Sequence, residues 1–395
     1  MAIETAPADV PARPNYAPRT PLVAKPIPGP RHQSAIPEIQ LGPGDWFSFV
    51  KVYLARICKL VRIDWRVSVR KLRLLDTVLF ELALTSQRIV TVVNSKGGSG
   101  KSPLATFMAA LCQASFGDVV IVDVNENDGT TAKRLGIDRN KVQILLREAV
   151  ANPTKIATMS VMKAKLGVHQ ETKLLCLPSD ADSPAGSFSK RQLMQLEGSI
   201  KQDCHSIFND TGNGRGHVAN RAAVQMADIL MVPILAGDSD SFDSAITTLK
   251  AYRSLGYGDL VRESLLVVSG TRSHHSKSRL LATLTAAALK TVDDDTTRAD
   301  TLMEQLGITE ANIFMIPYSR FIRRHNDVVT LNPRDIGIRT LVAMSQLAIA
   351  LYSRPVALPQ EKERRNHIAE QIQQDLAEEE AQARGERMPI FTPAT

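Results

Sequence analysis

A glycine-rich loop between a strand-like run and a helix-like run constrains the fold of this chain more than any other feature. Residues 94–103 read NSKGGSGKSP, with the apolar run RIVTVV before them and the segment LATFMAALC after them. Glycines let such a loop turn tightly and aim its backbone N–H groups inward, and the positive end of the following helix dipole adds to them. The loop therefore predicts an anion site for phosphate groups.

Two side chains at the end of the loop fit the chemistry of a nucleoside triphosphate. In the pattern GxxxxGK(S/T), a lysine reaches the β- and γ-phosphates and a hydroxyl ligates Mg²⁺. Lys101 and Ser102 occupy those positions, whereas Ser95 stands where the first glycine belongs. The match is loose, but its strand–loop–helix context is the required one. The other loop residues expected at the phosphates are Gly97, Gly98, Ser99 and Gly100.

Strand-like and helix-like segments alternate from residue 87 onward. Most strand-like runs are continuously apolar, as expected of strands that are buried on both faces. The alternation predicts an α/β fold, a three-layer P-loop NTPase with helices on both faces of a mostly parallel sheet. The expected strands are 88–94, 118–124, 173–178, 205–210, 228–234, 264–270 and 312–317, about seven in all, and the expected helices include 102–115, 241–254, 276–290 and 338–352.

Composition separates this domain from its flanks. Residues 1–43 hold 10 of the 21 prolines and are predicted to be a disordered or extended tail. Residues 44–86 mix apolar and basic residues at helical spacing, which predicts an N-terminal extension formed by a basic amphipathic helical segment. The α/β domain is expected to span 87–355, and the charged residues 356–395 to form a solvated helical tail.

The charge distribution indicates an anionic partner. The formal net charge is +7, and nine basic residues between Lys51 and Arg88 face three acidic ones. Such a segment suits nucleic acid or acidic lipid.

The cysteines and the first residues indicate the compartment. None of the four cysteines has CxxC spacing, which argues against a zinc site, an iron–sulfur site or a disulfide framework. The chain starts without the apolar core of a signal peptide, and no run reaches the ~18 apolar residues of a membrane helix. We therefore expect a cytoplasmic protein, with nucleoid or membrane association left open.

The early lysine of the loop carries a family resemblance. The segment KGGSGKS resembles the deviant Walker A loop of the ParA/MinD family of ATPases, whose pattern is KGGxGK(S/T). The resemblance implies an ATP- and Mg-dependent ATPase that forms a homodimer on ATP. It also implies that Lys96 reaches across the dimer to the partner's nucleotide, where extra positive charge stabilises the transferring phosphoryl group.

Three further segments extend the resemblance over about residues 87–352. VVIVDVNENDGTT resembles the switch segment after the second strand, which implies that Asp123 supports Mg²⁺ and that Asn125 stands in the place of the water-orienting aspartate. SIFNDTGNG resembles the Walker B strand, which implies Asp210 near Mg²⁺ and Thr211 and Gly212 near the γ-phosphate. The later strands resemble those that hold the base, with Ser269 and Pro317 in that region.

Two loop and switch residues depart from the family pattern. Pro103 replaces a usual threonine and so removes a hydroxyl and an N–H that contacts the α-phosphate, which we expect to cost about 1 kcal/mol or more of nucleotide affinity. Asn125 replaces a carboxylate; an amide orients a water but takes no proton, so we expect slow hydrolysis. Ser269 lies where the family often reads adenine with an asparagine, so the preference for ATP comes from the resemblance alone.

Three cellular roles remain open at this point, each with an activating protein partner still to be identified. A partitioning ATPase would bind DNA non-specifically, through the 51–73 segment and through arginines after the last strand. A membrane-positioning ATPase would use 46–85, a segment that can equally well pack against the ATPase core. The third role is a secretion-associated scaffold with little hydrolysis, because the layout looks similar to actinobacterial secretion-associated ATPases. The arginines are Arg320, Arg323, Arg324, Arg334 and Arg339.

Overall fold

A computed structural model describes most of the predicted α/β domain and its two helical flanks. The described residues are 65–85, 87–125, 129–180, 189–213, 218–272, 274–290, 299–319, 328–356 and 359–383. The predictions for the tail 1–43, for the first part of the basic segment and for Arg320, Arg323 and Arg324 lie outside these residues.

Eight strands of the described residues form one sheet, in the order β3-β4-β2-β5-β1-β6-β7-β8. All seven predicted strands are confirmed, and every neighbouring pair is parallel except β3 with β4. The additional strand β3 has only two residues, too few to leave a periodic signal. The bounds are β1 Arg88–Val92, β2 Val119–Asp123, β3 Gly167–Val168, β4 Leu175–Leu177, β5 Ser206–Asp210, β6 Ile229–Leu235, β7 Leu265–Thr271 and β8 Ile313–Pro317.

Helices connect the strands, and the four that were predicted within the domain are present. Short 3₁₀ turns lie at Arg139–Lys141, Pro153–Ile156 and Glu310–Asn312. The helices of the described residues are α1 Trp65–Thr85, α2 Lys101–Phe116, α3 Thr131–Arg134, α4 Leu146–Ala151, α5 Met159–Lys165, α6 Lys190–Lys201, α7 Val218–Met226, α8 Ser239–Ser254, α9 Gly258–Arg262, α10 Lys277–Lys290, α11 Ala299–Leu306, α12 Pro333–Ile336, α13 Ile338–Ser353 and α14 Pro359–Ala383.

The sheet is buried on both faces, as its continuous apolar strands predict. Along β1, Val90 and Val92 belong to a hydrophobic cluster with α1, α2 and α13 on one face. Ile89 points the other way, into a cluster with α4 to α7. Residues of β6 and β7 join α8 to α11 in a further cluster on that second face. These layers leave the carboxyl ends of the parallel strands as the edge at which ligands bind.

Helix α1, the described part of the basic segment, is a core element. Its residues Leu72, Leu79 and Ala83 are buried in the same cluster as α13 and the sheet, so the packing that the sequence left as an alternative to membrane binding holds for this helix. Arg88, counted in the sequence among the basic residues of this segment, is 3% exposed and donates to the carbonyl oxygens of Tyr352 and Arg354. No helix of the described residues is long and apolar enough to cross a bilayer.

The C-terminal helix was expected to be solvated, and the first half of α14 is solvated on its outer side but packs against the α/β domain on the other. Lys362 pairs with Asp228, whose side chain is fully buried, and donates to the carbonyl oxygen of Met226 at 3.2 Å. Arg365, 6% exposed, donates to the carbonyl oxygens of Gln225 and Ala227. These contacts satisfy the last carbonyls of α7. One side of the charged helix packs against the α/β domain because the domain offers it a carboxylate and unpaired carbonyls.

Loss of the Lys362 ammonium is expected to destabilise the protein. Lys362→Ala leaves the buried carboxylate of Asp228 with a hydrogen bond from the Ile89 N–H at 2.7 Å and with the more distant Lys201 ammonium at 3.9 Å, and should lower the free energy of unfolding by about 3 kcal/mol. Chemical denaturation measures the change. Arg364→Ala, on the exposed face of the same helix, is the matched control and should change stability by less than about 0.5 kcal/mol. Equal effects of both substitutions would contradict the buried pair.

Candidate functional site: a phosphate loop beside two carboxylates

The start of the loop is fixed to β6 and α8 by Asn94 and by Ser95, the residue that replaces the first glycine. The Asn94 amide donates to the Pro233 carbonyl oxygen at 2.8 Å, and its Oδ1 accepts from Lys96 N–H at 3.0 Å. Ser95 N–H donates to Thr248 Oγ1 at 3.1 Å, and Ser95 Oγ lies 2.7 Å from Ser244 Oγ. Ser95 therefore lacks the backbone freedom of a glycine, but its hydrogen bonds hold the loop in place.

The rest of the loop has the backbone conformation that glycine permits. Gly98 and Gly100 have φ of 72° and 97°, in the left-handed region. Helix α2 begins at Lys101, and its first turn closes with Leu104 N–H on the Gly100 carbonyl oxygen at 3.0 Å. Pro103 fits within this first turn, where the helix does not need its N–H. The predicted strand–loop–helix context is confirmed.

Lys101 is held at the centre of the loop. Its side chain is buried, and its ammonium donates to the carbonyl oxygen of Lys96 at 3.0 Å and to Oδ1 of Asn213 at 2.7 Å. Burial lowers the pKa of Lys101 to about 8, although the charge of Asp210 opposes the shift. The lysine is thus a desolvated cation, and a phosphate that reaches the loop would replace its neutral amide and carbonyl partners with negative charge.

Asn213 is a site residue that the sequence analysis missed. It follows the predicted Walker B turn, and besides accepting from Lys101 it lies against Gly97, where a Cβ would be 3.4 Å from the Asn213 amide nitrogen. The signal for it was present in DTGN, one residue beyond Gly212. Asn213 joins the loop to the end of β5.

Two carboxylates lie side by side behind the loop. Asp123 ends β2 and Asp210 ends β5, and the parallel register pairs them directly. Both are buried, and the pKa of Asp123 is raised by its burial and by the neighbouring charge of Asp210. The pKa of Asp210 is raised by burial, which hydrogen bonds from the hydroxyls of Ser102 and Thr131 oppose.

Thr131 connects the two carboxylates, and the sequence analysis did not single it out. Its Oγ1 donates to Asp210 Oδ2 at 2.7 Å, and its N–H donates to Asp123 Oδ2 at 3.3 Å. Asp210 Oδ1 is buried and has no hydrogen-bond partner among the described residues. A buried carboxylate oxygen without a partner, next to a second carboxylate and the Ser102 hydroxyl, is a donor set that suits Mg²⁺. The residues predicted for the metal, Ser102, Asp123 and Asp210, are therefore together.

The described part of the chain contains no group of three or more His, Cys, Asp or Glu residues placed to hold a metal ion. This result is compatible with a phosphate-loop magnesium site, because such a site relies on a hydroxyl, one or two carboxylates, water and the phosphates themselves.

Asn125 and the turn after β5 lie against each other. Asn125 N–H donates to Asp123 Oδ1 at 3.2 Å. A Cβ on Gly212 would be 2.7 Å from Asn125 Oδ1, so a larger residue there would displace the Asn125 side chain. Thr211 Oγ1 donates to the Val92 carbonyl oxygen at 2.6 Å, which anchors the turn to β1. The two segments expected around a γ-phosphate thus converge beside the loop.

A cavity of about 620 Å³ opens on the other side of the loop. Its lining includes Gly98, Gly100 and Pro103 as well as both residues predicted near a base, Ser269 and Pro317. Ser269 Oγ donates to the Ile234 carbonyl oxygen at 3.3 Å, so this hydroxyl is already occupied by the backbone. The volume suits a nucleoside-sized group next to the phosphate loop.

Lys96, the second lysine of the loop, is paired within its own chain. Its ammonium lies 2.8 Å from both carboxylate oxygens of Asp238 and 3.5 Å from Asp240. Hydrogen bonding to Asp238 raises the pKa of Lys96, which therefore stays charged at neutral pH. Asp238 also lines the cavity, so this pair lies at the wall of the space that the loop borders.

Comparisons with known proteins find similarity to solved structures only. No protein-family model and no curated protein matches the chain. Solved structures that match include a ParA family ATPase from Chlorobium tepidum, with 18% identity over 67% of this chain and 99% of that one and a TM-score of 0.48. MinD from Pyrococcus horikoshii, complexed with Mg-ADP, matches with 17% identity over 66% of this chain and 95% of that one and a TM-score of 0.46.

An ATP complex of McdA from Cyanothece matches with 14% identity over 69% of this chain and 99% of that one, and a TM-score of 0.46. ParA and MinD proteins form the family that the loop motifs resemble. At these low identities and TM-scores, what the chain does has to be inferred from its own residues.

The lowered pKa of Lys101 predicts how phosphate binding depends on pH. Without a ligand, Lys101 loses its proton as the pH rises through about 8, so affinity for a nucleoside triphosphate should fall by about tenfold per pH unit above that value. Fluorescence titration with a labelled nucleotide at saturating Mg²⁺, from pH 7 to pH 9.5, measures the change. Lys96 does not contribute to the decline because its pKa is raised. Constant affinity over this range would contradict the assignment of Lys101.

Proposed function

We propose that this protein is a slow, Mg-dependent ATPase of the ParA/MinD type that forms a homodimer with ATP. One observation carries the proposal. The buried ammonium of Lys101, the loop backbone, the Ser102 hydroxyl and the carboxylates of Asp123 and Asp210 converge on one edge of a parallel sheet, next to a nucleoside-sized cavity.

Each residue has a distinct part in holding the substrate. The loop N–H groups and Lys101 bind the phosphates, and Ser102, Asp210 and Asp123 hold Mg²⁺ directly or through water. When bound, Mg²⁺ neutralises charge on the phosphates. The cavity beside Ser269 and Pro317 accommodates the base, and adenine is proposed from the resemblance alone.

Asn125 sets the rate of hydrolysis in this proposal. Its side chain lies beside Gly212, where an amide orients an attacking water but cannot take its proton. Phosphoryl transfer depends mainly on positioning and electrostatics, so the reaction is slow rather than absent.

The dimer depends on the release of Lys96. While Lys96 is bound to Asp238 and Asp240, it cannot reach a second copy. The side chain of Lys96 is 28% exposed and that of Asp238 is 33% exposed, so the pair is accessible to solvent and is weakened by water and salt. We propose that nucleotide binding in two facing copies draws Lys96 from Asp238 to the partner's phosphates.

The cellular role that we favour is the positioning of DNA, or of a protein complex, by this dimer in the cytoplasm, with hydrolysis stimulated by a partner protein. The exposed basic residues of α1 and of the α12–α13 region support a polyanionic cargo. A second role, as a secretion- or membrane-associated scaffold with little hydrolysis, is favoured by the amide at position 125.

Asn125→Asp tests the catalytic assignment. The added carboxylate can accept a proton, so ATP turnover should rise about tenfold or more, while the affinity for Mg-ATP changes little. Phosphate release and calorimetric titration measure the two quantities. Lys101→Ala is the control that should lose nucleotide binding. Unchanged turnover with intact binding would show that position 125 is not catalytic, and intact binding in Lys101→Ala would refute the loop as the nucleotide site.

A further inference from the structure

The carboxylate of Asp123 lies at the end of a strand that has a neighbour on each side. On one side, β2 pairs with β5, which brings Asp210 next to Asp123, and the phosphate loop lies beyond β5, after β1. On the other side, β2 pairs with β4, with Val122 opposite Leu177. The residues that follow β4 therefore approach Asp123 from the side away from the phosphate loop.

Three polar side chains surround Gly129 on this far side. A Cβ on Gly129 would overlap the hydroxyl of Ser179, which follows β4, and would lie 2.5 Å from Nη2 of Arg139 and 2.7 Å from Oδ2 of Asp123. Ser179 is 1% exposed, and its Oγ has no hydrogen-bond partner among the described residues. A larger residue at position 129 would displace these side chains, so the guanidinium of Arg139 and the carboxylate of Asp123 both lie close to the backbone of Gly129.

Arg139 begins the 3₁₀ turn that follows α3, and the local contacts of this turn leave its guanidinium available. Asp138 caps the turn by accepting from Asn140 N–H at 3.1 Å, and its carboxylate lies 3.8 Å from the Lys141 ammonium. The acidic neighbour of Arg139 in the sequence is thus occupied by other groups. The guanidinium instead reaches back to the segment before α3 and donates to the carbonyl oxygen of Gly129.

The hydrogen bond to Gly129 acts two residues away from the side chain that joins the two carboxylates. Thr131 N–H donates to Asp123 Oδ2 at 3.3 Å, and Thr131 Oγ1 donates to Asp210 Oδ2 at 2.7 Å. The positive charge of Arg139 also attracts the Asp123 carboxylate. Arg139 therefore fixes the backbone just before Thr131 and places a cation beside Asp123, on the side away from Asp210.

We propose that Arg139 is a positioning residue for the magnesium site. It keeps Thr131 and the Asp123 carboxylate in the arrangement that receives Mg²⁺, and it does not itself contact the phosphates. The inference rests on the proposed function. A guanidinium suits this role because it stays charged and offers several N–H groups in one plane, so it can bind a carbonyl oxygen and face a carboxylate at the same time.

Titration of the full chain with a fluorescent ATP analogue, in EDTA and over a series of Mg²⁺ concentrations, tests the proposal. Arg139→Met removes the charge and the donors. In EDTA its affinity for the analogue should stay within about twofold of the native value, because Lys101 and the loop are unchanged. With the analogue present, the Mg²⁺ concentration at half-maximal response should rise about tenfold or more, as is usual when a group that orients metal ligands is removed.

Two further variants separate the charge of Arg139 from its position. Arg139→Lys keeps the charge and can still donate to Gly129, so it should recover part of the Mg²⁺ affinity that Arg139→Met loses. Gly129→Ala should raise the Mg²⁺ requirement from the other partner, because the new Cβ displaces Arg139 and Asp123. Arg147→Met, at an exposed position on α4, is the matched control and should behave as the native protein does. Chemical denaturation of each variant shows that it is folded.

The outcomes that overturn the inference differ from those that overturn the proposed function. A folded Arg139→Met variant with the native Mg²⁺ requirement would overturn the inference alone, as would an equal effect of Arg147→Met. Equal losses of affinity in EDTA and in Mg²⁺ would also overturn it, because they would indicate direct contact between Arg139 and the phosphates. If the native protein binds no nucleotide in either condition, the proposed function fails, and the inference fails with it.

Discussion

The whole site depends on two carboxylates that are forced together by parallel strand pairing. Asp123 and Asp210 end neighbouring strands in direct register, and both are buried. Two negative charges on adjacent buried carboxylates repel each other, and this arrangement is unfavourable without compensation. Thr131, Ser102 and the buried ammonium of Lys101 offset part of the repulsion. The charge that remains makes the edge a natural place for a divalent cation, and the cation in turn suits a phosphate in the loop.

The two lysines of the loop, Lys96 and Lys101, lie in different environments. Lys101 is buried among neutral acceptors, which keeps it ready for phosphate, whereas Lys96 is part-exposed and already holds a carboxylate pair. The ion pair between Lys96 and Asp238 links the loop to the start of α8, and another anion can replace the carboxylate in it. Under the proposed function, this difference gives a physical reason for two lysines in one short loop: Lys101 would bind phosphate in every nucleotide state, and Lys96 would change partner.

The sequence predicted those features that follow from local patterns. Continuous apolar runs predicted seven strands, and the glycines and Lys101 predicted the loop, because strand burial and left-handed turns leave a mark on neighbouring residues. Strand β3 could not be predicted, since it has two residues and forms only through the hairpin in which Lys173 has φ of 64°. The burial of Lys362 and Arg365 was missed because their partners, Asp228 and the end of α7, are more than a hundred residues away in the chain.

Within the site, the residues that stand in recognisable motifs were easier to predict than the residues whose hydrogen bonds bridge two separate segments. Ser102, Asp123 and Asp210 stand at the ends of recognisable segments. Asn213 and Thr131 matter because of what they join, Lys101 to the turn after β5 and Asp210 to Asp123. Such bridging roles depend on the three-dimensional proximity of separate loops, which composition and spacing do not specify.

The central claim is that Lys96 exchanges Asp238 for the nucleotide of a second copy. Sedimentation velocity of the full chain in Mg-ATP, in Mg-ADP and without nucleotide tests it most directly. We expect the mass of two chains in Mg-ATP alone, and the mass of one chain for Lys96→Ala in Mg-ATP even though this variant still binds the nucleotide. A single-chain mass for the native sequence in all three conditions, or an unaltered dimer in the Lys96→Ala variant, would contradict the account.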